Sequence, residues 1–266
     1  MNYLTDKIKG RLKEIIDYKI SELGIQKKKV SLEKILEQLS LVEPARDFVR
    51  ALSGDGVKLI AEVKKASPSA GDINVSGDIV ALAQRYEAAG ASAISVLTDK
   101  KFFKGELDYL KKIKEAVSVP VLRKDFIFDP YQIYQSKFYG ADAILLIATI
   151  LTAAGLKELV GLTHTLGMKC LVEVHDEEDL TKALNTTAKV IGINARNLET
   201  FEVNLQNIID LAPQVPNDKI LIAESGIKNR KDVSRLRRVG VGGILVGTEL
   251  MRAEDVGGKI RGLVGE

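Results

Sequence analysis

A chain of 266 residues, 45% hydrophobic and 28% charged, has the balance of a globular protein and the length for one large domain or two small ones. Its net charge of +3 is too small to imply a nucleic-acid partner, and its one basic run, Lys27-Lys28-Lys29, lacks interleaved aromatics and reads as a solvated turn. The single cysteine, Cys170, excludes an internal disulfide framework and fits a reducing, cytoplasmic compartment, while two histidines leave no metal-ligand cluster.

The N-terminal MNYLTDKIKGRL carries charge where a signal peptide needs its apolar core, and no apolar run further on is long enough to span a bilayer. Residues 1–50 read as helices. Leu4, Ile8, Leu12, Ile15, Ile16 and Ile20 recur at helical spacing, with Gly24 as the expected end. Ser31 is placed to cap a second helix through Leu39, and Pro44 suits the first turn of a third, short one that includes Phe48 and Val49. Such stripes need a surface, so residues 1–50 are expected to pack as an extension on a main domain spanning 51–266.

From residue 57 a unit repeats: a short apolar run, a turn, then an amphipathic helix. The runs are 59–63, 93–97, 119–122, 143–147, 170–174, 190–193, 220–223 and 244–246. The helical segments between them are 79–89, 107–117, 131–139, 153–166, 177–184, 205–211 and 228–239, with a last one starting near 248. Gly90, Gly140, Gly167 and Gly240 stand where left-handed caps would close helices. Strands alternating with helices imply parallel pairing through right-handed crossovers. Eight units fit an α/β fold of the (β/α)₈ TIM-barrel type, usually about 250 residues long. A doubly wound open sheet is the alternative, but the glycine-rich fingerprint it usually carries after its first strand is absent.

In such a barrel the chemistry sits at the carboxyl ends of the strands. Strand one ends in Glu62 and Lys64, on the same face as Ile60. Strand three ends in Lys124, strand five in Glu173, and strand six in Asn194 and Arg196. Alternate strands fill one layer, so Glu62, Lys124 and Glu173 are expected in a ring over the barrel mouth. Charge repeated at one end of successive buried strands is costly unless paired or useful, and separate salt bridges explain it less well than a site does. Strand seven runs into Ser225-Gly226 and strand eight into Gly247-Thr248, where glycines would let backbone N–H groups close on a phosphate and the helix starts that follow would add favourable dipoles. Lysine with carboxylate suits acid–base work on a carbonyl or imine, or else a Schiff base at Lys124.

These residues also lie in longer stretches: IAEVKKASPS (60–69), SVLTD (95–99) with FFKG (102–105), LRKDF (122–126), GADAILLI (140–147), LVEVH (171–175), IGINARNL (191–198) and AESGI (223–227). Together and in this order they resemble indole-3-glycerol phosphate synthase across the whole barrel, and the helical extension is similar to that family's too. The resemblance implies ring closure of 1-(2-carboxyphenylamino)-1-deoxyribulose 5-phosphate, with loss of CO₂ and water, in tryptophan biosynthesis. It implies no cofactor and no metal. Lys124 then resembles the general acid that protonates the ketone oxygen, Glu173 a later proton acceptor, and Glu62 with Lys64 the strand-one pair. Ser67, Asn194 and Arg196 resemble residues that hold the anthranilate ring and its carboxylate. Phe103, Phe126, Leu145 and Leu198 resemble its apolar surroundings, and Ser225, Gly226, Gly247 and Thr248 the phosphate grip.

The chain departs from the family pattern at Ala70, where lysine is common, and at Ala195, where a polar residue is expected. By parity Ala195 points away from Asn194 and Arg196. His175 shares a face with Glu173 and is expected to back it or to meet solvent rather than to react. A sugar-phosphate isomerase barrel similar to phosphoribosylanthranilate isomerase would place cysteine and aspartate at these strand ends. A non-catalytic phospho-ligand-binding barrel would not need Lys124 or Glu173. A small phosphorylated molecule is therefore the expected partner, with no nucleic acid and no membrane, and a monomer is the default assembly.

Overall fold

The structure, a computed structural model, describes residues 3–67, 71–72 and 78–265, and of residues 66, 67, 71 and 72 the backbone alone. The eight apolar runs become eight strands: β1 (Lys58–Val63), β2 (Ala93–Leu97), β3 (Val121–Lys124), β4 (Ala143–Ile147), β5 (Lys169–Val174), β6 (Val190–Asn194), β7 (Ile220–Glu224) and β8 (Gly243–Val246). Each pairs in parallel with the next, and β8 closes onto β1 with Lys58 opposite Gly243 and Ala61 opposite Val246. Their residues are buried almost without exception, as strands covered on both faces must be, and this is why they read as continuous Val, Ile and Leu runs rather than alternating ones. A helix follows every strand, as the period predicts. Gly90, Gly140, Gly167 and Gly240 follow helices with φ of 100°, 81°, 76° and 90°, the left-handed region a C-terminal cap uses.

Among the described residues three α-helices precede the barrel: α1 (Gly10–Lys29), α2 (Leu32–Gln38) and α3 (Phe48–Ala51). Helix α1 does not stop at Gly24. A mid-helix glycine costs about 1 kcal/mol relative to alanine, and the buried stripe Leu12, Ile15, Ile16 and Leu23 more than offsets it. The basic run therefore forms the last turn of α1 rather than a free turn. There it suits the helix dipole, and Lys27 pairs with Asp129 at 2.8 Å. Ser31 caps α2 as expected, accepting from the Lys34 N–H.

Pro44 does not start the third helix. Residue Arg46 ties the chain down first: its N–H donates to Asp142 Oδ1 at 2.6 Å and its guanidinium to the carbonyls of Val119 and Lys114. Asp47 then caps α3 by accepting from the Arg50 N–H at 3.0 Å. Strand β3 runs two residues later than the apolar run suggested. Pro120 has no N–H for the ladder, and the Arg123 charge is buried with full partnership from Thr98, Asp125, Ser136 and the Gln132 carbonyl. The strand therefore continues to Lys124 and delivers it to the barrel mouth.

Candidate active site

The strand ends meet in a cavity of about 840 Å³ over the barrel mouth, within the size range of small-molecule sites. It is lined by Glu62, Lys64, Phe103, Lys124, Phe126, Leu145, Glu173, Asn194, Arg196, Leu198, Ser225, Gly226, Gly247 and Thr248, every predicted site residue except Ser67. The backbone of Ser67 pairs with Gly71, and its side chain lies outside the described residues, as does Ala70. Leu12 and Ile15 of α1 reach the same cavity.

Its floor is a ring of charge. Lys124 Nζ lies 3.2 Å from Glu173 Oε2 and 3.1 Å from Glu224 Oε2. Lys64 Nζ pairs with Glu62 Oε1 at 2.7 Å, as their shared strand face requires. The other oxygen of Glu173 meets His175 Nε2 at 2.9 Å, so both ends of that carboxylate are held. Asn194 stands beside Glu173 and helps hold it down, and its Oδ1 accepts from the Arg196 N–H at 2.9 Å. Strands β1, β3, β5 and β7 thus each contribute one member, the layer rule applied to all four odd strands.

Burial opposes every charge here, and the neighbours decide which survives. Burial pushes the Lys124 ammonium down, but Glu224, Glu173 and Glu62 outweigh it and raise the group, so it stays protonated at rest. Burial pushes Glu173 up, yet Lys124 and then His175 hold it well below the usual carboxylate range. Burial also pushes Glu224 up, with the Glu173 charge adding to it against Lys124, to about 7. The Glu224 Oε1 atom is buried and has no hydrogen-bond partner among the described residues. Of two carboxyls around one ammonium, one is firmly ionised and the other takes a proton near neutrality, an arrangement that separates acid and base roles. Glu62 stays ionised: burial opposes it, and Lys64 with Lys124 outweighs burial.

Glu224 was missed by sequence reasoning, although parity and the alternate-strand rule both point to it. It adjoins the Ser225-Gly226 turn, whose glycine signal masks the charge at the strand end. His175 backs Glu173 with 13% of its side chain exposed, its backbone N–H directed to Asp179 Oδ2 at 3.3 Å and its carbonyl accepting from Asn207. Ala195 is buried and absent from the cavity lining, as parity indicated.

On one side stands an apolar wall. The rings of Phe103 and Phe126 lie 6.4 Å apart at 41°, with Leu145 and Leu198 lining the same cavity. Arg196 is half-buried, and Nη1 donates to the Phe201 carbonyl at 3.1 Å. At the other side Ser225 and Gly226 have φ of 65° and 77°, a consecutive left-handed pair that turns backbone toward the cavity. The following helix begins only at Arg230, and Asn229 already satisfies the N–H groups of Lys231 and Asp232. A helix start therefore does not adjoin this turn, contrary to expectation; any N–H donors here belong to the turn itself. The short helix Thr248–Met251 after β8 has no side-chain cap. Lys228 and Arg252 line the cavity as well and were not anticipated.

Gly192 and Gly247 hold the space open. A Cβ at Gly192 would meet Glu224 Oε1 at 2.2 Å, and one at Gly247 would meet Glu62 Oε1 at 2.3 Å. Both glycines make room for carboxylates of the ring, which is a second reason for glycine at Gly247. Among the described residues, no group of three or more His, Cys, Asp and Glu side chains is arranged to hold a metal ion, and no helix is long and apolar enough to cross a membrane.

A lysine set among buried carboxylates at the carboxyl ends of eight parallel strands defines a class: a (β/α)₈-barrel enzyme with a polar site for a small molecule. Within it, the chain belongs to the indole-3-glycerol phosphate synthase family, whose model matches residues 12–263. It is 48% identical over 257 residues to an indole-3-glycerol phosphate synthase of Dehalococcoides mccartyi, covering 95% of this chain and 99% of the relative. It is 44% identical over 249 residues to one of Acetivibrio thermocellus, covering 89% and 96%. Among solved structures, a 3-hexulose-6-phosphate synthase superposes with a TM-score of 0.63 at 15% identity, covering 78% of this chain and 98% of that one. A thiamine phosphate pyrophosphorylase from Pyrococcus furiosus gives 0.58 at 18%, covering 78% and 93%. At these identities the likeness is one of fold alone.

Proposed function

We propose that this chain converts 1-(2-carboxyphenylamino)-1-deoxyribulose 5-phosphate to indole-3-glycerol phosphate, CO₂ and water, as a carboxy-lyase of tryptophan biosynthesis. The observation that carries this is Lys124 held between Glu173 and Glu224 beside an apolar wall.

The ammonium of Lys124 donates a proton to the ketone oxygen as the carboxyl-bearing aryl carbon attacks the ketone carbon. The electrons come from the aniline nitrogen, which becomes an iminium. Loss of CO₂ returns the pair of its breaking bond to that iminium. The new hydroxyl then leaves as water with a proton from an acid, for which Lys64 is placed, and Glu173 takes the proton whose loss makes the ring aromatic. The ionised Glu62 and Glu173 stabilise the positive charge that develops between these steps. Excluding water between Phe103, Phe126 and Leu145 strengthens those interactions. Arg196 and Asn194 face the anthranilate carboxylate in this reading, with Ser67 as a further contact. Ser225, Gly226, Gly247 and Thr248 grip the phosphate, with Lys228 and Arg252 as nearby cations.

Residues 1–50 act in this reading as an extension that closes one side of the mouth, with 51–266 as the catalytic barrel. Leu12 and Ile15 reaching the cavity support it. The protein works as a cytoplasmic monomer with no nucleic-acid partner. Incubating the purified chain with the carboxyphenylamino substrate and following indole fluorescence tests the reading. Sustained formation of the fluorescent product supports it, and none at micromolar enzyme refutes it.

A further inference from the structure

Helix α1 buries one charge inside its apolar stripe. Lys19 follows Leu12, Ile15 and Ile16 on the face turned to the barrel and is 3% exposed. Three carboxylates surround its ammonium: it donates to Glu22 Oε2 at 2.9 Å and forms ion pairs with Asp125 Oδ1 at 2.9 Å and Asp99 Oδ2 at 3.1 Å. Glu22 belongs to α1, but the two aspartates stand at the ends of different strands, and both line the active cavity.

Each aspartate shapes a piece of the site. Asp125 follows Lys124 directly. It accepts from the Phe126 N–H at 2.8 Å, from the Thr98 hydroxyl at 2.6 Å and from Arg123 Nη2 at 3.0 Å. Asp99 caps the helix Lys100–Phe103 by accepting from the Phe102 N–H at 2.7 Å, and that helix carries Phe103. The two side chains are each about 1% exposed. Among the described residues Arg123 forms its ion pair with Asp125 alone, so without Lys19 the cluster would hold three carboxylates against one guanidinium. Two buried carboxylates this close repel unless a cation joins them. Asp99 shows the strain: burial pushes it up, Lys19 opposes that, and Asp125 adds to it.

We propose that Lys19 is a positioning residue for the reaction: by neutralising Asp99 and Asp125 together, it fixes the turn that aims Lys124 and the helix that presents Phe103. The inference rests on the function proposed above. It gives α1 a role in the geometry of the acid and the wall, while the phosphate turns after β7 and β8 lie outside its reach.

The test is Lys19→Met, with Lys19→Met/Asp99→Asn beside it. The double variant removes one charge of each sign and keeps an oxygen to cap Phe102. Misplacing a catalytic group by about 1 Å costs up to roughly a hundredfold, so Lys19→Met should lower kcat by about ten- to a hundredfold. Inorganic phosphate should still raise its Tm as much as it raises the wild type's. Amide hydrogen exchange at Phe102 and Phe126 should quicken in Lys19→Met and return toward the wild-type rate in the double variant, together with most of kcat. A folded Lys19→Met with unchanged kcat and unchanged exchange overturns the proposal, as does a double variant that recovers neither. If Lys19→Met does not fold, the double variant decides: folded with kcat above a tenth of wild type supports the proposal, and unfolded or below a tenth overturns it. The exchange measurement needs no turnover, so an inactive wild type would refute the proposed function while exchange alone judged Lys19.

Discussion

Replacing Lys124 by methionine keeps an apolar stem of similar length and removes the charge. If Lys124 is the general acid, kcat falls by about 10²–10⁴, the usual worth of a positioned proton donor. At 1.36 kcal/mol per tenfold, that is about 3–5 kcal/mol of transition-state stabilisation. The fold should respond in a pH-dependent way. The ammonium sits 3.2 Å from Glu173 and 3.1 Å from Glu224, and removing it leaves two carboxyls buried together. Breaking a buried pair costs about 3–5 kcal/mol when the orphaned charge remains. Glu224 already takes a proton near pH 7, so acidification relieves the repulsion. The Tm penalty of Lys124→Met should therefore be larger at pH 8.5 than at pH 6. Steady-state kinetics by indole fluorescence, with circular dichroism to confirm folding, measures both. A folded variant with kcat within threefold of wild type would refute the assignment of the acid, and equal Tm penalties at the two pH values would refute the charge argument. Borohydride in the presence of substrate should leave Lys124 unmodified, because the lysine transfers a proton and forms no imine.

Three further outcomes follow from the same geometry. Gly247→Val should damage the site more than Thr248→Ala, which removes one hydrogen bond worth about 0.5–1.5 kcal/mol. Even a Cβ at Gly247 meets Glu62 Oε1 at 2.3 Å and Lys64 Nζ at 3.0 Å, so Gly247→Val should lose both the Tm shift given by inorganic phosphate and most of kcat. An unchanged phosphate shift would place that anion elsewhere. Glu224, raised from 4.5 to about 7, keeps a proton in the folded chain that the unfolded chain has released. Its contribution is fully present below pH 4.5 and is lost as pH rises through about 7, so Glu224→Gln should flatten the fall of stability between pH 5 and 8. His175, also raised by Glu173 against its burial, retains part of that slope; an unaltered profile would mean Glu224 does not hold the proton. Substituting His175→Phe removes a partner that holds Glu173 down, so the acidic limb of the kcat/KM profile should move to higher pH, and an unmoved limb would show that the hydrogen bond does not tune the base.

Much of this was legible in the chain. Period-two parity places Glu62 and Lys64 together, and they form an ion pair. The layer rule brings Lys124 and Glu173 together from strands 49 residues apart. That rule equally demands Glu224, and only the neighbouring glycine turn obscured it. Other features depend on partners that no local pattern records. Gly24 stays helical because the barrel buries the stripe that ends at Leu23 and holds the next turn through Tyr131 and Gln135 on Gln26 and Asp129 on Lys27, and Pro44 sits outside α3 because Arg46 is anchored on distant carbonyls and Asp142. The charge at Lys19 stands out in an apolar stripe, but its meaning needs Asp99 and Asp125, more than 75 residues away. The helix start that the glycine turn after β7 suggests is displaced by Asn229 and Asp232, whose capping box begins the helix at Arg230.

The central claim is decarboxylative ring closure by proton transfer, and product stoichiometry tests it most directly. Purified protein given the carboxyphenylamino substrate should release CO₂ and indole-3-glycerol phosphate in equal amounts, at a rate that a metal chelator leaves unchanged. An isomerised sugar phosphate with no CO₂, or a rate abolished by the chelator, would contradict the account.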